Sequence, residues 1–232
     1  MSEVILALDT SSGTRVALVR DGVVRSARVH ADARAHAEHA TTLVQEVLEE
    51  AGLRPADVTA VAVGTGPAPF TGLRVGLVTA EMLSLSLGVP AWGVPSLDAW
   101  AAGALAADPA LEEVVVATDA RRREVYTATY VRDAGAAGGL RRDGDFAVHR
   151  PSAEPTAAVG SGTVLYPEAY PALQPGADLE VHHLATLGSA RVAAGLSVPL
   201  TPLYLRRPDV HGAPGGLEPA VAATAATAPE PR

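Results

Sequence analysis

The sequence contains neither cysteine nor lysine among its 232 residues. Without cysteine there is no disulfide, no thiolate nucleophile and no cysteine-ligated zinc. All 18 basic residues are arginine, which also excludes a phosphate-binding-loop lysine and a Schiff-base lysine. These absences remove several enzyme classes before any motif is considered.

Positive charge is scarce as well, since the net charge is −8 and the isoelectric point is about 5.3. An acidic surface disfavours nonspecific binding to nucleic acid, because that binding depends on basic side chains that neutralise phosphates. Contact with nucleic acid is therefore expected to need a partner's basic surface. The start, MSEVILALDTSSG, has only six apolar positions before Asp9, fewer than a signal peptide or a spanning helix needs. We expect a cytoplasmic protein that has no membrane segment.

The first half of the chain combines β-branched runs with helical patterns. Three strands are predicted first, at residues 4–10, 14–20 and 23–29. Asp21-Gly22 between the last two predicts a hairpin, because both central residues of the favoured turn need positive φ. The apolar spacing over 36–51 predicts an amphipathic helix that Gly52 ends. The next predicted elements are a buried strand at 58–64 and a helix at 72–87.

The second half gives a weaker pattern. Its predicted elements are strands at 90–94, 113–119, 124–131 and 156–162, helices at 96–107 and 184–196, and a long hairpin loop at 133–145. The last stretch is rich in Pro, Gly, Ala and Thr and has few large apolar side chains, so it cannot offset the entropy of ordering. We expect a disordered tail over 208–232.

Each half opens with an apolar strand that ends in an aspartate, at Asp9 in LALDTSS and at Asp119 in VVATDAR. This repetition predicts an α/β fold of the actin-like class, in which two β-β-β-α-β-α halves face each other across a cleft. The predicted subdomains are residues 1–107 and 108–207, the second of them reduced.

The strand end formed by Asp9, Thr10, Ser11 and Ser12 has two interpretations. In one, its hydroxyl and backbone N–H groups form the remnant of a phosphate-binding turn. In the other, the side chains only satisfy the backbone of the turn. The second half offers TDARRREVY, where no glycine is near the aspartate and three arginines crowd the approach of a nucleotide. We therefore do not expect an ATP site formed by the turns of both halves.

The segment GTGPAPFTGLRVG, residues 64–76, is the other candidate binding loop. Its prolines at 67 and 69 lack the N–H groups that an anion would need, so stiffness is its better-supported property. We predict a rigid elbow that precedes a helix N-capped by Thr71 and holds Phe70 either in the core or toward a partner. The candidate elbow residues are Gly66, Pro67, Phe70, Thr71, Gly72 and Arg74.

The helix predicted after the elbow is apolar on nearly every side, and a helix of this kind is buried on every side. Two interpretations remain open, burial within its own chain and burial in a subunit interface. The candidate interface residues are Leu73, Leu77, Ala80, Glu81 and Ser84, with His36 and His39 from the first helix.

No metal or nucleophile site is predicted. His36 and His39 are three residues apart, whereas zincins need two histidines four apart with a glutamate between them. His182 and His183 are adjacent, and adjacent side chains of a strand point to opposite faces. Gly160-Ser161-Gly162 lacks the spacing of a nucleophile elbow.

Four segments together resemble the TsaB family, also called YeaZ: ALDTSS, GTGPAPFTGLRVG, DARRREVY and PLYLRRPD, between residues 3 and 209. The family usually has Gly-Ser where this chain has Ala68-Pro69. The resemblance implies an actin-like, non-catalytic relative of TsaD that forms a heterodimer with it through helices of the first half. It also implies a TsaE-like ATPase as a further partner. Together such proteins transfer threonylcarbamoyl to adenosine 37 of tRNAs that read codons beginning with A.

The resulting hypothesis is a scaffold subunit that binds no cofactor alone, with ATP and metal on its partners and tRNA contacted only through the complex. Rival hypotheses are a stand-alone actin-like ATP phosphotransferase or a metal-dependent endopeptidase. A free-standing homodimer, formed in the absence of the partner, would use the same apolar helix.

Overall fold

The computed structural model describes residues 2–31, 36–153, 156–170 and 178–206, without the side chains of residues 36–38. The predicted tail, 208–232, lies outside these residues. Two β-sheets organise the described chain, one of five strands and one of four.

The first sheet follows from the apolar runs of the first half. Its strands are β1 (Val4–Asp9), β2 (Thr14–Arg20), β3 (Val23–His30), β4 (Ala60–Gly64) and β5 (Ala91–Val94). Their order is β3-β2-β1-β4-β5, with β1, β2 and β3 antiparallel and with β4 parallel to both β1 and β5. The predicted Asp21-Gly22 hairpin is confirmed, since both residues have positive φ, 50° and 76°.

Three helices belong to the first half: α1 (His36–Ala51), α2 (Phe70–Leu87) and α3 (Ser96–Ala107). A short 3-10 turn, Pro55–Asp57, precedes β4. α1 packs on β2 and β3, where Ser26 Oγ donates a hydrogen bond to the Val47 carbonyl at 2.6 Å. α2 packs on β4, so the two helices cover one face of the sheet.

The second sheet repeats the first in reduced form. Its strands are β6 (Glu113–Asp119), β7 (Val125–Arg132), β8 (Leu140–His149) and β9 (Ala158–Val159). The order β8-β7-β6-β9, with only β6 and β9 parallel, matches β3-β2-β1-β4 in sequence and direction. This duplication confirms the predicted α/β actin-like fold with two subdomains. The boundaries at 107 and 207 stay predictions.

Two helices lie between the sheets and join them. They are α3 and α5 (His182–Ala193), while α4 (Ser161–Leu165) follows β9. α5 contacts the first sheet, α3 contacts β6 of the second, and the two helices contact each other. One hydrophobic cluster therefore runs through the molecule, from Ile5 on β1 through Trp100 on α3 to Val116 on β6.

Several predicted bounds were wrong in the second half. The loop predicted at 133–145 covers only 133–139, because the edge strand β8 starts at Leu140 and its first part, residues 141–145, has no apolar alternation. The strand predicted at 156–162 is only β9, and α4 begins after Gly160. A Cβ at Gly160 would lie 2.3 Å from the Ala117 carbonyl oxygen, and its φ is +112°. α5 begins two residues earlier than predicted and ends three residues earlier.

The start of α2 also differs from the prediction. The helix begins at Phe70, and its N-cap is Pro69, whose side chain makes no capping hydrogen bond. Thr71 is therefore inside the first turn, and its predicted role as the N-cap was wrong. Pro69 supplies the extended entry to the helix through its fixed φ of −56°.

Candidate functional site

The turn at the end of β1 is held by its own side chains. Asp9 is fully buried, and its Oδ1 accepts hydrogen bonds from the backbone N–H of Ser11 at 2.7 Å and from Ser11 Oγ at 2.5 Å. Its Oδ2 accepts a hydrogen bond from Ser96 Oγ at 2.6 Å. A carboxylate engaged in this way supports the turn itself, which favours the structural interpretation of residues 9–12.

The same turn contacts the elbow and the helix that follows it. Thr10 Oγ1 donates a hydrogen bond to the Gly72 carbonyl at 2.8 Å. A Cβ at Gly76 would lie 2.3 Å from Thr10 Oγ1, and one at Gly64 would lie 1.8 Å from Asp9 Oδ2. These two glycines are thus required by close packing. Sequence analysis did not predict that the two motifs contact each other.

Ser96 of α3 holds the elbow through two hydrogen bonds to Gly66. The Gly66 N–H donates to Ser96 Oγ at 3.2 Å, and the Gly66 carbonyl accepts from the Ser96 N–H at 2.8 Å. Gly66 has a φ of +86°, which other residues adopt only with strain, and the Gly66-Pro67 peptide bond is cis. The loop therefore fixes the direction in which α2 leaves the sheet.

Phe70 lies in a small aromatic cluster at the surface. The Arg74 guanidinium carbon lies 3.7 Å from the centre of the Phe70 ring, and the Tyr204 ring is 5.0 Å from the same ring. Arg74 Nε also donates to the Tyr204 hydroxyl at 3.0 Å. The elbow and PLYLRRPD motifs therefore meet in space. Tyr204 was missed by sequence analysis because 130 residues separate it from Arg74.

A cleft of about 740 Å³ lies between the two subdomains. Its described lining includes both strand-end turns, from Ser11 to Gly13 and from Thr118 to Asp119. Asp119 resembles Asp9 in being engaged, because its Oδ1 accepts from the Arg121 N–H at 2.8 Å and its Oδ2 lies 3.3 Å from Arg121 Nη1. Both aspartates thus make hydrogen bonds within their own turns.

Two donors in the cleft have unpaired nitrogens. Arg15 on β2 is buried, and its Nη2 donates to Asp178 Oδ1 at 2.8 Å. Its Nε and Nη1, together with Trp100 Nε1, have no hydrogen-bond partner among the described residues. The cleft can therefore supply hydrogen-bond donors, but no histidine or glutamate is among its described lining residues, so it offers no general base of those types there.

The outer face of α2 carries exposed apolar side chains. Val78, Met82 and Leu85 recur at helical spacing and are 56%, 59% and 72% exposed. We call these three residues the α2 stripe. Glu81 is exposed beside it, and Ser84 is half-buried, with its Oγ donating to the Val89 carbonyl at 2.5 Å.

The other predicted interface residues of α2 lie on its inner face. Leu73, Leu77 and Ala80 are buried in a cluster with Val61 and Val63 of β4. The structure therefore contradicts their assignment to an exposed interface, because they form the packing of α2 against the sheet. α2 is also the single helix, within the described part of the chain, that is long and apolar enough to cross a bilayer.

The histidines predicted beside α2 are only partly described. The His39 ring stacks on the His30 ring of β3 with 3.5 Å between centroids, whereas the side chain of His36 lies outside the described atoms. His182 and His183 do not point to opposite faces, because they begin α5 and do not lie in a strand. Their ring centroids are 4.2 Å apart.

Two sheets of the same strand order, two helices between them and a cleft at their strand ends define this chain as an actin-like protein. A protein-family profile described as TsaD, tRNA N6-adenosine threonylcarbamoyltransferase, matches residues 25–139. An uncharacterized protein of Mycobacterium tuberculosis is 40% identical over 88% of this chain and 92% of its own length.

Two relatives that carry family names show which family of actin-like proteins this chain belongs to. The tRNA threonylcarbamoyladenosine biosynthesis protein TsaB of Escherichia coli K12 is 40% identical over 56% of this chain and 55% of its own length. The solved structure of YeaZ from Pseudomonas aeruginosa is 31% identical, with a TM-score of 0.75 over 88% of this chain and 100% of that one. The chain therefore belongs to the TsaB family, also called YeaZ.

Proposed function

We propose that this chain takes part in the biosynthesis of tRNA threonylcarbamoyladenosine as a non-catalytic subunit. In this proposal it stabilises and activates a TsaD-like catalytic subunit, which transfers threonylcarbamoyl to N6 of adenosine 37 in tRNAs that read ANN codons. A TsaE-like ATPase joins the assembly in the cytoplasm. ATP and the metal ion of the catalytic site bind to the partners, and tRNA contacts the chain only through the complex.

The observation that carries the proposal is the α2 stripe. Val78, Met82 and Leu85 are more than half exposed on a helix whose opposite face is buried in the sheet. Full burial of a side chain of this size stabilises by about 1.5–3 kcal/mol, so covering what remains exposed contributes on the order of 1 kcal/mol for each. A partner helix laid along the stripe gains this energy, and the elbow fixes the direction of the stripe.

The state of the cleft supports a non-catalytic role. Asp9 and Asp119 both hold their own turns through hydrogen bonds, and the net charge of −8 opposes direct binding of tRNA. A subunit of this kind contributes an apolar surface to the complex, while the chemistry belongs to its partner.

The test is co-purification with the TsaD-like subunit of the same organism. Val78→Glu and Met82→Glu place a charge in the proposed interface and should each abolish co-purification. The isolated variants should keep the circular dichroism and melting temperature of the wild type, because both side chains are exposed. Leu77→Glu would not serve, since Leu77 is buried in the chain's own core.

The matched control is Val192→Glu, which adds the same charge at a 42% exposed valine of α5 and should leave co-purification intact. Threonylcarbamoyladenosine in tRNA from a strain depleted of the native protein gives the functional readout. It should be restored by the wild type and by Val192→Glu only. Full co-purification of both α2 variants would refute the interface.

A further inference from the structure

A cluster of three potential metal ligands lies at the start of α5, away from the α2 stripe. Glu180, His182 and His183 each offer one ligand atom, and these atoms all lie within 4.8 Å of one another. Of the residues that the structure describes, no other group of three His, Asp or Glu side chains is this close.

The local backbone explains why the three side chains converge. The His183 N–H donates to the Glu180 carbonyl at 3.1 Å, which closes a turn as the helix begins. Val181 and Leu184 of the same turn are buried in the central core. The apolar residues of the turn therefore hold it against the core, and the side chains of Glu180, His182 and His183 lie on the other side of the turn.

The distances fit ligands that share an ion better than they fit a hydrogen bond. Glu180 Oε2 lies 3.6 Å from Nε2 of His182 and 3.6 Å from Nε2 of His183. Both separations exceed the range of a good hydrogen bond. Tetrahedral zinc with bonds of about 2.0–2.1 Å keeps its ligand atoms about 3.3–3.4 Å apart. The two distances from Glu180 are close to that spacing.

The His183 ring of the cluster lies against a glycine of α3. A Cβ at Gly103 would lie 3.5 Å from His183 Nε2 and 3.5 Å from Cδ2 of the same ring. The cluster is therefore next to α3.

We propose that Glu180, His182 and His183 form a binding site for a divalent transition-metal ion of the zinc type, with water as the fourth ligand. Two imidazoles and one carboxylate are a ligand set that zinc accepts. The ion would fix the segment before α5, where Asp178 Oδ1 accepts from Arg15 Nη2 and from the Leu179 N–H at 2.7 Å. The site would thereby support the Arg15-Asp178 pair in the cleft.

The proposal is tested by calorimetric titration of the untagged, metal-free full chain with zinc chloride. One zinc per chain should bind with a dissociation constant in the micromolar range or below. His182→Ala and His183→Ala should each weaken binding by at least about tenfold, and Glu180→Gln should also weaken it. Cobalt should give the visible absorption of a tetrahedral site with the wild type alone, and zinc should raise the melting temperature of the wild type alone.

The matched control is His149→Ala, at a histidine of β8 whose Nε2 is 2.9 Å from Thr127 Oγ1; this variant should bind zinc like the wild type. If His183→Ala fails to fold, His182→Ala and Glu180→Gln decide the question, since both residues are partly exposed. Wild-type affinity weaker than micromolar, or unchanged affinity in His182→Ala, would overturn the proposal.

Discussion

At the scale of single residues, a buried polar contact between three elements is centred on Asp98 of α3. Its Oδ1 accepts from the Tyr130 hydroxyl at 2.6 Å, and its Oδ2 accepts from Arg191 Nη2 at 2.6 Å. The buried Asp98 carboxylate is thus paired with Arg191, and removing one partner of such a pair typically costs about 3–5 kcal/mol. The three residues link α3, β7 and α5, so they join the two subdomains.

Tyr130 makes stability sensitive to alkali. Burial raises the pKa of Tyr130 well above 10, and Asp98 adds to the shift while Arg142 and Arg191 oppose it. Above pH 10 the unfolded chain loses this proton and the folded chain keeps it, so stability present below pH 10 is lost as the pH rises. The slope should reach about 1.4 kcal/mol per pH unit, on a background simplified by the absence of lysine.

Urea denaturation between about pH 8 and pH 11 measures that slope for the wild type and Tyr130→Phe. The variant should be less stable at pH 8, because it loses a hydrogen bond to Asp98, but its free energy of unfolding should fall less steeply with pH. Some slope should remain, since burial also raises the pKa of Tyr126. Equal slopes would show that Tyr130 does not govern the alkaline loss.

Residue types in the first turn were predictable from the sequence, but their roles were not. Asp9, Thr10 and Ser11 were found as candidates because a polar cluster follows an apolar strand. Their partners Ser96 and Gly72 lie 87 and 62 residues further along the chain. No local pattern reports contacts at that separation, so the sequence left the phosphate-binding and structural interpretations equally open.

At the scale of elements, α2 shows what an apolar pattern predicts and what it does not. Its existence and its end at Leu87 were predicted from the length of the apolar pattern, and in the structure Gly88 caps that end with a left-handed φ of 67°. Its inner face could not be predicted, because a helix that is apolar all round has no preferred side. The first part of β8, residues 140–145, was mistaken for a loop because it is mostly polar, although Phe146 and Val148 further along the strand pack against the core.

The turn between β6 and β7 is an element under strain. Arg121, Arg122 and Arg123 are consecutive and all have positive φ, at 62°, 54° and 60°, although this region costs a residue with a side chain about 1–2 kcal/mol. Arg206 braces the turn by donating to the Ala120 carbonyl at 2.9 Å and by pairing with Glu124. The DARRREVY motif thus forms a left-handed turn that is held by Arg206, a residue outside the motif.

Arg123→Gly should therefore stabilise the chain by about 0.5–1 kcal/mol, because glycine adopts positive φ without strain. Arg123 is exposed, so little packing is lost. Arg123→Ala removes the same charge but keeps the strain, and it should leave stability nearly unchanged. Thermal unfolding of both variants separates these effects. A loss of stability in Arg123→Gly would mean that the left-handed turn is not strained.

At the scale of the whole molecule, the two subdomains share one core but divide the surface unequally. α3 and α5 bury the faces that the sheets turn toward each other, whereas α2 lies on the outside of the first sheet with its stripe uncovered. The chain therefore buries its central core by itself but leaves the α2 stripe exposed to solvent. We therefore expect a second subunit to cover the α2 stripe.

In the absence of the TsaD-like partner, two copies of the chain should cover the α2 stripe with each other. Symmetric dimers use the same surface on both copies, and an apolar stripe on a straight helix can pack on its own copy. Sedimentation velocity should show a concentration-dependent dimer for the wild type and for Val192→Glu, and a monomer for Val78→Glu. Since one stripe can be covered only once, added partner should convert the dimer into a heterodimer, with no larger species. A Val78→Glu dimer, or an assembly of the intact homodimer with the partner, would place self-association on another surface.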